Sequence, residues 1–195
     1  MSMMSAAQTR TDEKNYIFDP KKFNLWLAII GSAMLFAALT SAYIVRRAEG
    51  NWNAFLIPQQ FIYSTVIVIL SSITMQWAYF AAKRDEIIQL KVALFSTLIL
   101  GVGFGISQFM GYKVLVDNNL FFSGDDVASS FFYAITGFHF LHLFGGWIAL
   151  IRATHKAFKL EIHKKSMRTI TMAATYWHFM GLLWIYLYLF LFLNR

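Results

Sequence analysis

The chain has 195 residues, of which 58% are hydrophobic and only 14% charged, against about a quarter charged in soluble domains, so it reads as an integral membrane protein with no room for a large soluble domain. It contains no cysteine, which excludes disulfides, thiolate metal sites and iron–sulfur clusters from this chain. The net charge of +7 sits in the connections between apolar runs, where membrane topology needs it, and is not a nucleic-acid signal.

Residues 1–23 form a polar arm that reads as a partly disordered tail. It holds no apolar region with a cleavage site, so no signal peptide is expected. Asp19-Pro20 stops any earlier helix, and Lys21-Lys22 marks an interface. The membrane domain is expected over 24–195, with spans near 24–46, 60–82, 90–116, 129–151 and 169–193. A spanning helix needs ~20 apolar residues, so the fold class is all-α, an integral membrane bundle of five transmembrane helices.

The first span carries few polar groups, and Arg46-Arg47 close it. Trp52, Phe55 and Pro58 in the following connection suit an interface and a helix start. In the second span Thr65, Ser72 and Gln76 share a face, which suits close helix contact and hydrogen bonding across it. In the third, Thr97, Gly101, Gly105, Gln108 and Tyr112 form a stripe, and Gly101-x-x-x-Gly105 has the spacing of a helix-contact motif. Gln108 reads as a packing amide. The fourth span is the most informative. Ser129, Tyr133, Thr136, His139, His142 and Gly146 recur at steps of three or four and share one helical face. Two imidazoles at that depth point to a function by default. The fifth span sets Thr171, Thr175, His178 and Gly181 on a polar face. His155 and His163 fall in the basic connection and read as solvated.

Thirteen of the 17 Lys and Arg lie in the N-terminal arm and the second and fourth connections. The positive-inside rule then predicts a cytoplasmic N-terminus and a periplasmic C-terminus. The basic fourth connection also suits contact with anionic lipid, although an ordinary inside loop has the same composition.

The catalytic inventory is thin. No span interior holds Asp, Glu, Lys or Arg, and no phosphate loop, zinc motif or nucleophile–base pattern is readable. His142 and His178 reach similar depths at ~1.5 Å per residue, so a bis-histidine haem between the last two helices is one reading. Its rival is imidazoles that hydrogen-bond neighbouring helices. Tyr176, His178 and Gln108 could also line a quinone site, and the same residues fit packing equally well.

Several motifs carry a family resemblance. TGFHFLHLFGG at 136–146 resembles the TGFHGxHV signature of subunit III of haem–copper respiratory oxidases. YWHF at 176–179, with Trp184 following, resembles the YWHFVDxxW motif of that family's last helix. SSITMQWA at 71–78, LGVGFGISQ at 100–108 and WLAIIGSAMLFAALTSAYIV at 26–45 are similar to three further shared segments, so the match covers all five spans in order. It implies the five-helix bacterial form, and the YWHFxGxLW variant resembles oxidases of Bacteroidota.

The resemblance implies a non-catalytic subunit of a cytochrome c oxidase in the bacterial inner membrane. It would hold no cofactor, with haem and copper in partner subunits. It would flank subunit I, meet subunit II and other respiratory subunits, possess bound phospholipid, and take part in a larger supercomplex. A quinol oxidase subunit III is the alternative. His139, His142, Trp177 and His178 fall on the family's shared polar positions. The family's buried carboxylates fall on Ala33, Gly111 and Gly181 here, and glycine at the last two suggests closer helix contact.

Overall fold

The computed structural model describes residues 19–50, 52, 55–122, 127–162 and 166–194. They form α1 (Pro20–Ala48), α2 (Gln60–Lys83), α3 (Ile87–Asp117), α4 (Val127–Phe158) and α5 (Arg168–Leu193). All five, at 24 to 32 residues, are long and apolar enough to cross a membrane. Lipid offers no partner to a backbone amide, and a helix satisfies its amides internally. The fold class is therefore the expected all-α membrane bundle. Most of the polar N-terminal arm, together with His163, lies outside the described residues.

The helix ends follow from local chemistry. Asp19 caps α1, its Oδ1 accepting from the Lys21 amide at 3.1 Å, with Pro20 at the first helical position. There the fixed φ of proline helps and its missing N–H is not needed. Three C-termini close with a left-handed residue, at Asp85, Asn119 and Leu160. In each, the next amide reaches back to the carbonyl five residues earlier: Glu86 to Ala81, Leu120 to Leu115 and Glu161 to Lys156, all at 3.0 Å. These reversals satisfy carbonyls that the helix leaves open. The one after α2 turns the chain straight into α3, and these two helices form the most extensive contact in the bundle.

Helices α2, α3, α4 and α5 form a closed ring, with α3 and α5 each packed between α2 and α4. Helix α1 leans from outside into the groove between α4 and α5 and makes no backbone approach to α2 or α3. An open cleft floored by α5 therefore separates α1 from α2. At one end of the bundle Arg168 pairs with Asp19 at 2.8 Å, and Lys91 stands 5.3 Å over the Phe158 ring. At the other end the Tyr43 hydroxyl donates to the Asn194 carbonyl at 3.1 Å.

Lipid is as apolar as leucine, so shape rather than hydrophobic transfer must hold these helices together. The fit is built on rings. Phe61, Phe104, Phe132 and Trp184 are all at most 2% exposed, and their centroids stand 5.1–6.2 Å apart in stacked and edge-on pairs. The glycine stripe of α3 is the bed for further rings. A Cβ on Gly101 would lie 2.8 Å from Trp177 Cη2, and one on Gly105 would lie 3.0 Å from Trp147 Cη2. The spacing of small residues thus marks a contact, as expected, but the partner is an indole and not a second backbone. Gly111 sits just as tightly under Phe61. Gly181 departs from the expectation of closer contact: a Cβ there would meet only Val68 Cγ2 at 3.6 Å. It leaves space, and this space is part of the site.

Candidate functional site

The polar stripes of α2, α3 and α5 meet in one seam. On α2, Thr65 accepts from Trp184 Nε1 at 3.0 Å. Two turns further along the same face, Ser72 and Gln76 hold the two nitrogens of His178, Oγ to Nδ1 at 2.5 Å and Oε1 to Nε2 at 3.1 Å. All three residues of the α2 stripe therefore turn to α5. Trp177 Nε1 donates to Ser71 Oγ at 3.0 Å, Thr74 and Thr97 join their hydroxyls at 2.9 Å, and Gln108 Nε2 donates to Ser64 Oγ at 3.0 Å. Each bond satisfies a group that lipid would leave bare, and such bonds average about 0.6 kcal/mol in membrane bundles.

On α4 the expected polar face is the buried one: Ser129, Thr136, His139 and Gly146 are buried, whereas Phe138, Leu141, Phe144 and Ile148 are exposed. His139 is 1% exposed and sits among the rings of Phe36, Phe104 and Trp184. Among the described residues neither of its ring nitrogens has a hydrogen-bond partner. His142 lies nearer the surface, against the Phe36 ring, with its Nδ1 2.8 Å from the Phe138 carbonyl of its own helix.

The haem and quinone readings require residues that the fold does not assemble. His178 turns to α2 with both nitrogens engaged, while His142 turns to α1, so the two imidazoles do not face a common ligand. Tyr176 donates to the His142 carbonyl at 3.1 Å and lines a different groove from His178. Gln108 is tied to Ser64 on another side of the seam. No group of three or more His, Asp or Glu that could hold a metal occurs among the described residues.

Two crevices open on the outside of the bundle. One is the cleft between α1 and α2, about 630 Å³, walled by Trp26 of α1 and by Ile69, Ser72, Ile73 and Gln76 of α2, with His178 and Leu182 of α5 on its floor. The other is larger, about 860 Å³, and lies between the starts of α1 and α5 and the end of α4. Lys21, Arg152, Lys156 and Arg168 line it, above an apolar wall of Leu25, Ala28, Ala149 and Met172. Asp19 draws on Arg168 and Glu161 on Lys156, the latter at 3.8 Å, yet cations remain in excess. Helix α4 builds this crevice by running past the expected end at Ile151 to Phe158, so Arg152 and Lys156, four residues apart, lie on one helical face. His155 belongs to the same last turns and is exposed, not part of a loop. The i, i+4 spacing was the available signal for the crevice, hidden inside a stretch that composition alone marks as a connection.

The family model described as "Cytochrome c oxidase subunit III" matches residues 3–194. A protein of Nocardia farcinica described as "Probable cytochrome c oxidase subunit 3" is 31% identical over 169 residues, covering 84% of this chain and 82% of its own length. A Mycobacterium tuberculosis protein of the same description is 32% identical over 173 residues, with the same coverage. "Cytochrome c oxidase subunit 3" of Anopheles quadrimaculatus is 33% identical over 138 residues, 71% of this chain and 50% of that protein.

Proposed function

The chain belongs to the cytochrome c oxidase subunit III family, a multi-pass membrane subunit of a haem–copper oxidase, and from that premise we propose that it is a non-catalytic scaffold that retains phospholipid beside the catalytic subunit. Its main contact in this reading is subunit I, with subunit II and further respiratory subunits in the same assembly. Haem and copper reside in those partners. The names of the relatives support cytochrome c as the electron donor of the assembly, and donor oxidation by the purified complex tests that against quinol.

The basic crevice is the observation that carries the lipid reading. Four cations around an apolar-walled groove match an anionic headgroup at the interface with its acyl chains along Leu25, Ala28 and Ala149. A juxtamembrane Lys or Arg contributes ~1 kcal/mol towards an anionic surface. The same end of the bundle also carries Arg84 and Lys91, which supports a cytoplasmic N-terminus and a periplasmic C-terminus in a bacterial inner membrane. A lipid wedged there would hold α1 against α4 and α5 and keep the flank of the catalytic subunit in shape during turnover.

Native mass spectrometry of the intact oxidase tests the proposal. Arg152→Gln with Lys156→Gln removes two charges, about 2 kcal/mol, or roughly 30-fold in anionic lipid affinity. One retained anionic phospholipid should be lost, and inactivation during turnover should quicken. Lipid content and turnover lifetime equal to wild type would overturn the lipid role.

A further inference from the structure

The cleft between α1 and α2 carries polar groups that the bundle does not use up. Gln76 Oε1 can only accept, so His178 Nε2 donates to it. In the neutral imidazole Nδ1 is then an acceptor, and the Ser72 hydroxyl donates to it. The bonds therefore run one way, from Ser72 through His178 to Gln76, and end on two amide hydrogens. Among the described residues neither Gln76 Nε2 nor the hydroxyl of Thr175, one turn before His178, has a hydrogen-bond partner. Both residues line the cleft and are only partly buried. We propose that this cleft binds one neutral, membrane-dissolved lipid through a carbonyl oxygen, which accepts from Gln76 Nε2 while an apolar body lies against Trp26, Ile69, Ile73 and Leu182.

Volume and depth select that chemistry. At about 630 Å³ the cleft has the size of a small-molecule site, apolar with a few convergent polar groups. A bare amide N–H in hydrocarbon is costly, so an occupant must bring an acceptor. The lining residues run over 68–76 on α2 and 175–185 on α5, roughly 12–15 Å of helix, against ~30 Å for a helix that crosses the membrane. The recess fits a ring with a short stretch of chain, and not the whole span of a partner subunit. Gln76 stands ~10 Å along α2 from Lys83, and His178 ~15 Å along α5 from Arg168. A phospholipid carries its esters beside its charged headgroup, and reaching Gln76 would drag that charge below the interface. A carbonyl that travels within the hydrocarbon avoids this cost, and a quinone on an isoprenoid chain has such a carbonyl.

Tyr176 and Gln108 take no part in this site, and His178 acts by orienting the Gln76 amide. Gly181 leaves room beside it, since a Cβ there would meet only Val68 Cγ2 at 3.6 Å. The basic crevice is a separate feature, whose cations suit a charged headgroup at the interface, so loss of lipid from one does not bear on the other.

The test is a map of the intact oxidase purified with its native lipids, joined to mass spectrometry of its organic extract. Elongated density is expected in the cleft, with one oxygen roughly 2.7–3.2 Å from Gln76 Nε2, and a neutral carbonyl lipid in the extract. A quinone or another neutral carbonyl lipid there supports the site and identifies its source. An empty cleft, a phospholipid or a helix of a partner subunit in it overturns the proposal. Menaquinone-4 added to the detergent-washed oxidase should bind about three- to tenfold more weakly in Gln76→Leu, the loss of one hydrogen bond. Unchanged binding would refute the role of the amide, and if Gln76→Leu does not assemble, the wild-type map decides.

Discussion

Substitution of Gly111 by alanine probes how the bundle is held together. The added methyl carbon would lie 2.6 Å from Phe61 Cε2 and 2.9 Å from Cζ, well inside the ~3.5–4.0 Å of a carbon–carbon contact. The ring would have to shift by about 1 Å. It cannot do so freely, because Phe132 stands edge-on at 5.1 Å and Trp184 is stacked at 6.2 Å. Trp184 is itself pinned to Thr65. Overpacking of this kind costs about 1–3 kcal/mol, partly offset by the better helix propensity of alanine, ~1 kcal/mol at most. We expect a net loss of ~1–2 kcal/mol. Gly103→Ala is the control: nothing lies within 4 Å of a Cβ there, so only the propensity gain remains. Unfolding of both variants by denaturing detergent, followed through tryptophan fluorescence, gives the difference. Equal stability of the two would refute an account in which ring-on-glycine fit holds α3 in place.

Three further experiments test other features of the fold. Ser71→Ala strands the buried indole N–H of Trp177 and should lower stability by about 1–2 kcal/mol in the same unfolding assay. His178→Leu and Gln76→Leu, combined in a double-mutant cycle, should show a coupling of about 0.6–1.7 kcal/mol, and a coupling near zero would mean that the pair at 3.1 Å is not formed in the membrane. Leu160 occupies a left-handed position, φ 59°, with its side chain exposed, so Leu160→Gly should raise the thermal midpoint by relieving about 1 kcal/mol of strain.

The architecture was legible because lipid simplifies the code. Five apolar runs had to be helices, and the stripes at Thr65–Gln76, Thr97–Tyr112 and Ser129–Gly146 had to face protein. What periodicity could not supply was the partner of each polar group. The His178 ring on α5 bonds across to Ser72 and Gln76 of α2 instead of sharing a ligand with His142, which lies on α4 against Phe36 of α1. The two substituted glycines also part company in three dimensions. Gly111 lies under a ring and Gly181 lines a cavity, although both stand where a resemblance places a carboxylate. The basic crevice was obscured by hydropathy: Arg152 to Phe158 is polar enough to pass for a loop, but Ala153, Thr154 and Ala157 keep the helical period and are buried.

Co-purification tests the central claim most directly. The chain, tagged and extracted in mild detergent, should bring with it a haem–copper catalytic subunit, and haem and copper should stay with that partner when the chain is stripped away. A chain that emerges alone, carrying haem at one per polypeptide, would contradict the account and return His142 and His178 to consideration as ligands.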